Sequence, residues 1–132
     1  MPLVKCYVGQ LNQVLMNLLA NAIDALESSE VEQKVIRIWT EHIVAECAED
    51  ERVLIHIADN GPGISEEVRS RIFNPFFTTK PVGQGTGIGL SISRQIMTQK
   101  HSGQLYCYSQ LGEGTEFVIE LPMLPRANPV GA

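Results

Sequence analysis

The stretch TTKPVGQGTGIGLS, residues 78–91, restricts most strongly what this chain can fold into. Its glycines and proline disfavour a regular helix or strand, yet its end continues into an amphipathic helix pattern. A P-loop is excluded because no lysine follows a glycine. The dinucleotide fingerprint is excluded because its third glycine position would hold Ile88, Leu90 or Ile92. The stretch, with the residues before it, therefore predicts a long ordered loop or lid of another kind.

Composition limits the class of protein. The chain has 132 residues, 44% of them hydrophobic, which predicts one globular domain with a core of its own. The net charge of −5 argues against nucleic-acid binding and leaves a nucleotide ligand possible. There is no apolar run of about 18 residues and no secretory leader. We therefore expect a cytoplasmic domain without membrane contact.

Three cysteines, Cys6, Cys47 and Cys107, are odd in number and form no C-x-x-C pair. This pattern predicts buried thiols in a reducing compartment rather than a disulfide framework or a zinc site.

The order of predicted elements indicates an α/β fold. A helix is predicted over Gln10–Leu26, strands over 34–47 and 52–59, a short helix capped by Ser65, a helix over 88–101, and a hairpin of two strands over 104–122. This order suggests helices that cover one face of a mixed sheet. Residues 1–124 are expected to form the domain and residues 125–132 a flexible tail.

Four polar side chains recur on one face of the first predicted helix. They are Gln13, Asn17, Asn21 and Asp24. Because they are separated by four, four and three residues, they stack on one side of a helix. Amide oxygens suit Mg²⁺, which also keeps water and phosphate oxygens as ligands. The pattern leaves two interpretations open, a solvated helix face and a magnesium site.

Two further positions carry chemistry. Asp59 closes the second predicted strand and opens the turn DNGPGI. It is either a capping residue or a carboxylate that accepts a hydrogen bond from an adenine amine. Lys80 precedes the glycine run, where its ammonium group and the N–H groups of a helix starting near Gly87 could meet phosphate charge.

Five motifs follow one another in order: NLLANAIDAL, DNGPGI, FNPFFTTK, GQGTGIGLS and GEGTEF. They resemble the N box, first glycine box, F box, second glycine box and closing glycine motif of the ATP-binding domain of sensor histidine kinases. That family is shared with gyrase, mismatch-repair and chaperone ATPases. The resemblance extends from about Gln10 to Pro122. It implies the Bergerat fold, a two-layer α/β sandwich whose mixed, mostly antiparallel sheet is covered on one face by helices. We expect an excised domain that lacks the first N-terminal strand region.

The resemblance also implies roles for individual residues. Asn21 resembles the magnesium-binding asparagine and Asn17 its helper, and both are implied to be catalytic. Asp59 resembles the residue that reads adenine, and Thr115 the residue behind the base and its ordered water. The implied ATP contacts are Asn17, Asn21, Asp24, Asp59, Gly61, Gly63, Ile64, Thr79, Lys80, Gly85, Thr86, Gly87, Ile88, Gly89, Leu90 and Thr115.

Three positions depart from the family pattern. Ser102 replaces a glycine that is common after the His101 position, a change we expect to be structural only. Asp24 stands where many kinases place Lys or Arg, so that phosphate contact is lost or taken over by Lys80. Ala25 stands where some relatives place an aromatic residue that stacks on the base.

The activity implied by the resemblance is that of a protein-histidine kinase. Such a domain binds ATP and Mg²⁺ and donates the γ-phosphate to a histidine on a helical-hairpin dimerisation domain, with a response regulator downstream. None of His42, His56 and His101 is followed by an acidic residue, as an acceptor histidine would be. The isolated domain is expected to be a monomer.

Two alternatives remain open. One is an ATP-hydrolysing relative, but such relatives carry a glutamate where this chain has Asn17, which cannot act as a general base. The other is a non-catalytic nucleotide-binding module.

Overall fold

The structure, a computed structural model, describes residues 6–27, 29–47, 50–74 and 89–123. Their helices and strands are α1 (Val8–Glu27), β1 (Ile36–Ile43), β2 (Arg52–Asp59), α2 (Glu66–Arg71), α3 (Gly89–Gln95), β3 (Gln104–Gln110) and β4 (Gly114–Pro122). The order of elements agrees with the prediction, and β2 has the predicted bounds. Helix α1 begins slightly earlier than predicted, and β1 is shorter than predicted at both ends.

The four described strands form one sheet in the order β1-β2-β4-β3. Every pairing between them is antiparallel, so this part of the sheet is not mixed. Strand β2 lies between β1 and β4, and its side chains Val53 and Ile57 are buried. The register places Asp59, the last residue of β2, opposite Thr115 of β4.

The core lies between the sheet and helix α1. The buried residues of α1 recur every fourth position: Val14, Leu18, Ala22 and Leu26. This spacing gives the helix one apolar stripe, which packs on the inward side chains of the sheet. Burying a valine or leucine side chain contributes about 1.5–3 kcal/mol. The two-layer arrangement follows from one apolar helix stripe and one apolar sheet face.

Aromatic and charged side chains cover the other face of the sheet. The Trp39 ring stacks on the His56 ring, with centroids 4.5 Å apart and planes inclined by 5°. A Glu41 carboxylate oxygen lies 2.9 Å from His56 Nε2. Tyr106 and Tyr108 stack on each other further along this face. The side chains on the outer face of the sheet therefore contact mainly one another.

The long helix predicted after the glycine run is an α-helix only in its first part. Helix α3 ends at Gln95, and Ile96–Lys100 forms a π-helical segment. The backbone N–H of Tyr7 donates to His101 Nε2 at 2.9 Å, and His101 Nδ1 lies 3.1 Å from the carbonyl oxygen of Ile96. Because Nε2 accepts, Nδ1 carries the proton and donates to that carbonyl. One imidazole thus fastens the end of the widened helix to the start of α1.

The prediction of buried thiols is correct for Cys107 only. Cys107 is buried on β3, and its burial raises the pKa of the thiol to about 12. Cys47 is exposed and Cys6 is half-buried, because both lie outside the layer between helices and sheet.

Two glycines with similar backbone conformations allow a matched test of loop packing. Gly63 and Gly112 have φ values of 72° and 82°. A Cβ at Gly63 would collide with the carbonyl oxygen of Gln110, whereas a Cβ at Gly112 would meet nothing within 4 Å. In Gly112→Ala the free energy of unfolding should therefore fall only by the cost of a left-handed backbone at a residue with a Cβ, about 1–2 kcal/mol. In Gly63→Ala the free energy of unfolding should fall by about 3 kcal/mol or more, because the collision with Gln110 adds to the backbone cost.

Urea unfolding of the two variants and the wild type measures this difference. Equal losses of unfolding free energy in both variants would contradict the packing described for Gly63.

Candidate functional site

The loop after β2 packs directly on the turn between β3 and β4. The backbone N–H of Gly112 donates to the carbonyl oxygen of Pro62 at 2.7 Å. At Gly114, where φ is 111°, a Cβ would collide with the backbone carbonyl of Asp59. The two loops approach each other too closely for a side chain at these positions. Glycines therefore allow them to pack together at one end of the sheet.

Asp59 is buried at this end of the sheet, with 9% of its surface exposed. The backbone N–H of Gly61 donates to its carboxylate oxygen Oδ1 at 2.9 Å. Burial raises the pKa of Asp59, and N–H groups of Gly61 and Thr115 oppose that rise without cancelling it. A buried carboxylate with this little support from the protein is suited to a ligand that offers further donors.

Gly61 brings Asp59 close to helix α1. A Cβ at Gly61 would lie 2.9 Å from Asp59 Oδ1 and 3.5 Å from the Cβ of Ala25. Ala25 follows Asn21 by one helical turn, so the polar face of α1 runs up to the Asp59 carboxylate. The loop after β2 therefore approaches α1 one helical turn beyond Asn21, the position that the sequence predicts for magnesium.

Asn21 and Asn17 differ in their surroundings. The Asn21 side chain is half-buried and makes no hydrogen bond within the described part of the chain. The Asn17 amide nitrogen Nδ2 donates to the carbonyl oxygen of Gly89 at 3.3 Å and to Ser93 Oγ at 3.1 Å. Asn17 therefore connects α1 to the start of α3 through its amide nitrogen.

The hydroxyl of Ser109 connects the elements of the site. Its Oγ accepts the backbone N–H of Ile64 at 2.8 Å. The same oxygen lies 2.9 Å from the carbonyl oxygen of Gly114 and 2.9 Å from Thr115 Oγ1. The loop after β2 and the hairpin are thus held to each other by one side chain.

A cavity of about 650 Å³ opens at this end of the sheet. Its lining includes Asp59, Ser109, Thr115, Gly114 and Arg69. The volume lies within the range typical of small-molecule sites, roughly 300–1,000 Å³.

The structure brings several predicted residues together and leaves others elsewhere. Asp59, Gly61, Gly63 and Thr115 meet at the cavity end of the sheet, with Asn21 on the adjoining helix. Ile64 and Leu90 pack against the hydrophobic core with their side chains, and Asp24 is exposed. The predicted contacts Thr79, Lys80, Gly85, Thr86, Gly87 and Ile88 lie outside the described residues.

The sequence reasoning missed Ser109 and Ser93. Ser109 follows Leu105 and Cys107 at alternate positions of β3, so a polar residue at an inward-facing position was the available signal. Ser93 is fully buried in α3 and accepts from Asn17. Its signal was a hydroxyl on the apolar side of a predicted helix.

Comparison with known proteins identifies the family. Residues 7–125 match the family described as histidine kinase-, DNA gyrase B-, and HSP90-like ATPase. The chain belongs to this family, and the resemblance inferred from the five motifs is confirmed.

The similar proteins are sensor kinases. Sensor kinase CckA of Brucella abortus (strain 2308) is 42% identical over 130 residues, which cover 92% of this chain and 13% of CckA. The catalytic domain of histidine kinase ThkA superposes with a TM-score of 0.72 at 36% identity, covering 91% of this chain and 70% of that one. Full-length ShkA in complex with AMPPNP superposes with a TM-score of 0.66 at 30% identity, covering 92% of this chain and 23% of that one.

ThkA has also been solved in complex with the response regulator protein TrrA. That structure superposes with a TM-score of 0.72 at 32% identity and covers 95% of this chain and 32% of that one. The chain thus has the fold and family of the catalytic ATP-binding domains of sensor histidine kinases, and it spans 13% of the length of CckA. No helix among the described residues is long and apolar enough to cross a membrane.

The raised pKa of Asp59 predicts a particular pH dependence of stability. Between the unfolded and the folded pKa, the folded state binds more protons than the unfolded state, so stability falls as pH rises through that interval. Asp59→Asn removes this titration. The unfolding free energy of the wild type should therefore fall relative to that of the variant as pH rises.

Urea titrations from about pH 4 to about pH 7 measure this difference between the two proteins. Glu113→Gln, in the nearby turn, controls for the loss of one negative charge. Parallel profiles for Asp59→Asn and the wild type would contradict the burial argument.

Proposed function

We propose that this chain binds Mg-ATP and donates the γ-phosphate to a histidine on a separate helical-hairpin domain of the same kinase. The observation that carries the proposal is the buried Asp59 carboxylate, which lies opposite Thr115 at the end of β2 where Gly61 brings the following loop against Ala25, one helical turn after Asn21. The acceptor carboxylate there suits an adenine amine, and the helix face suits a metal-phosphate group.

Adenine binds at the end of β2 in this proposal. Asp59 accepts a proton of the 6-amino group, and Thr115 lies beside it across the β2–β4 pairing. Gly61 and Gly63 let the loop backbone pack closely on Asp59 and on the hairpin, because a side chain at either position would meet protein atoms. In this proposal, that closely packed loop lines the base pocket. Ile64 lines the base pocket where the loop joins the core.

Magnesium binds through the amide side chains of α1 in this proposal. Asn21 holds the ion with its amide oxygen, and Asn17 assists from one turn earlier. The donor set fits, since Mg²⁺ prefers hard oxygen ligands and takes few of them from protein. The described residues contain no cluster of three or more His, Cys, Asp or Glu that could hold a metal. When bound, the ion would neutralise charge on the phosphate oxygens during transfer.

The phosphates meet the residues after the F box. Lys80 and the backbone from Gly85 to Leu90 supply donors to the phosphate oxygens, a role that the order of the motifs supports. Asn17 connects the helix of the metal site to Gly89, which is the first residue of α3 and belongs to that segment. Metal site and phosphate segment are therefore coupled through one amide.

The phosphate acceptor lies on another domain. His56 and His101 are buried, and His42 is engaged with Glu51 at 3.3 Å. Transfer to an external histidine agrees with these surroundings and with the naming of the relatives as sensor kinases. A response regulator would take the phosphate next, as suggested by the solved complex of ThkA with TrrA. The isolated domain would act as a cytoplasmic monomer.

Hydrolysis is the second candidate function, and Asn17 argues against it. A general base must accept a proton from water, whereas the Asn17 amide is neutral and its nitrogen donates to Gly89 and Ser93. A non-catalytic nucleotide-binding module is less well supported, because the metal, base and phosphate positions all carry residues apt for their roles.

The magnesium assignment predicts a selective loss on substitution of Asn21. Asn21→Ala should weaken Mg-ATP binding about 10- to 100-fold, since contacts to charged groups contribute about 1.5–3 kcal/mol. Metal-free ATP should bind with nearly unchanged affinity. Isothermal titration of both forms of the nucleotide measures the two losses.

Asn12→Ala is the matched control, because Asn12 is exposed and lies nine residues before Asn21 on the opposite side of α1. Equal losses for Mg-ATP and metal-free ATP, or no loss, would contradict the metal role of Asn21. Failure of the wild type to bind ATP would overturn the proposed function itself.

A further inference from the structure

The Ser109 hydroxyl has three hydrogen-bonding neighbours, and they restrict where its proton can lie. The backbone N–H of Ile64 can only donate, so Ser109 Oγ accepts it. The carbonyl oxygen of Gly114 can only accept, so Ser109 donates its single proton there. Thr115 Oγ1, 2.9 Å away, could in principle be donor or acceptor.

Only one arrangement satisfies all three contacts. Because the Ser109 proton is used by Gly114, Thr115 must donate its own hydroxyl proton to the remaining lone pair of Ser109. Thr115 is buried, with 8% of its surface exposed, so a competing water partner for this proton has little access. The Thr115 hydroxyl consequently offers only lone pairs to a further partner, and Thr115 belongs to the lining of the cavity.

We propose that Ser109 is a specificity-determining residue that fixes the Thr115 hydroxyl as a hydrogen-bond acceptor and so favours a 6-amino purine over a 6-oxo purine. This inference rests on the proposed function, since it concerns the base of the bound nucleotide. Asp59, which accepts an N–H from Gly61, and Thr115 then form a pair of acceptors at the same end of the cavity. An amino group supplies two protons to such a pair, directly or through a water, whereas a carbonyl oxygen supplies none.

Ser109 acts through Thr115 and is a positioning residue. Its removal frees the Thr115 proton, which can then turn toward the cavity and donate to a carbonyl oxygen. A merely structural role for Ser109 would instead weaken all nucleotides alike. The ratio of affinities for two bases therefore separates the two roles.

The test compares ATP with ITP, which carries a carbonyl oxygen in place of the 6-amino group and a proton on N1 that ATP lacks. The wild type should bind ATP at least about tenfold more tightly than ITP, because a buried polar mismatch costs about 1–3 kcal/mol. In Ser109→Ala the ATP:ITP preference should fall about three- to tenfold. Ser109→Thr keeps the hydroxyl and should keep the preference.

Thr115→Val tests whether Ser109 acts through the Thr115 hydroxyl. Adding Ser109→Ala to Thr115→Val should leave the ATP:ITP ratio unchanged, because no hydroxyl remains for Ser109 to orient. If Ser109→Ala does not fold, Ser109→Cys is the second variant, since its thiol is a weak donor and acceptor, and it should show the same fall.

An unchanged ATP:ITP ratio in a folded Ser109→Ala or Ser109→Cys protein would overturn the inference and leave the proposed function standing. Equal weakening of both nucleotides would do the same. If the wild type binds neither nucleotide, the proposed function fails, and the inference fails with it.

Discussion

The burial of one carboxylate at the end of a central strand is the constraint on which the site depends. Asp59 lies where β2 leaves the sheet, with β1 and β4 on its two sides, so it cannot reach bulk water freely. Such a group is stabilised only by donors placed close to it. Gly61 supplies one of these donors and Thr115 another. The glycine-rich loop and the glycines of the hairpin follow from this need, because backbone must approach backbone to place the donors.

The same loops position the rest of the site. Gly61 lets the Asp59 loop approach Ala25, which sets the distance between the proposed base pocket and the Asn21 face of α1. Asn17 then ties that helix to α3 through Ser93. A single chain of short contacts runs from the strand end to the helix that follows the glycine run. The proposed arrangement of adenine, metal and phosphate contacts is a consequence of this series of contacts.

Local patterns allowed much of the fold to be predicted. The periodicity of α1 and the apolar run of β2 depend on near neighbours, and both elements form where the sequence placed them. The capping role of Ser65 is likewise local, and its Oγ accepts the N–H of Val68 as the prediction requires. The polar face containing Asn17 and Asn21 could be found because helical spacing alone brings these residues together.

Features that depend on distant contacts could not be predicted in this way. The π-helical segment before His101 accompanies a hydrogen bond to Tyr7, 94 residues away in the sequence. Ser109 becomes informative only when the register places it beside Thr115 and the loop places Ile64 above it. The roles assigned to Asn21 and Asp59 came from the order of the motifs, since the spacing of α1 left a solvated face equally possible.

The central claim is that this domain gives its phosphate to an external histidine and not to water. Incubation with ATP labelled at the γ-phosphate, with and without a separately supplied helical-hairpin domain from a sensor kinase that carries its acceptor histidine, measures both reactions at once. The account predicts acid-labile label on the hairpin histidine and scarcely any free phosphate when the hairpin is omitted. Rapid release of phosphate by the domain alone, abolished by Asn17→Ala, would contradict it.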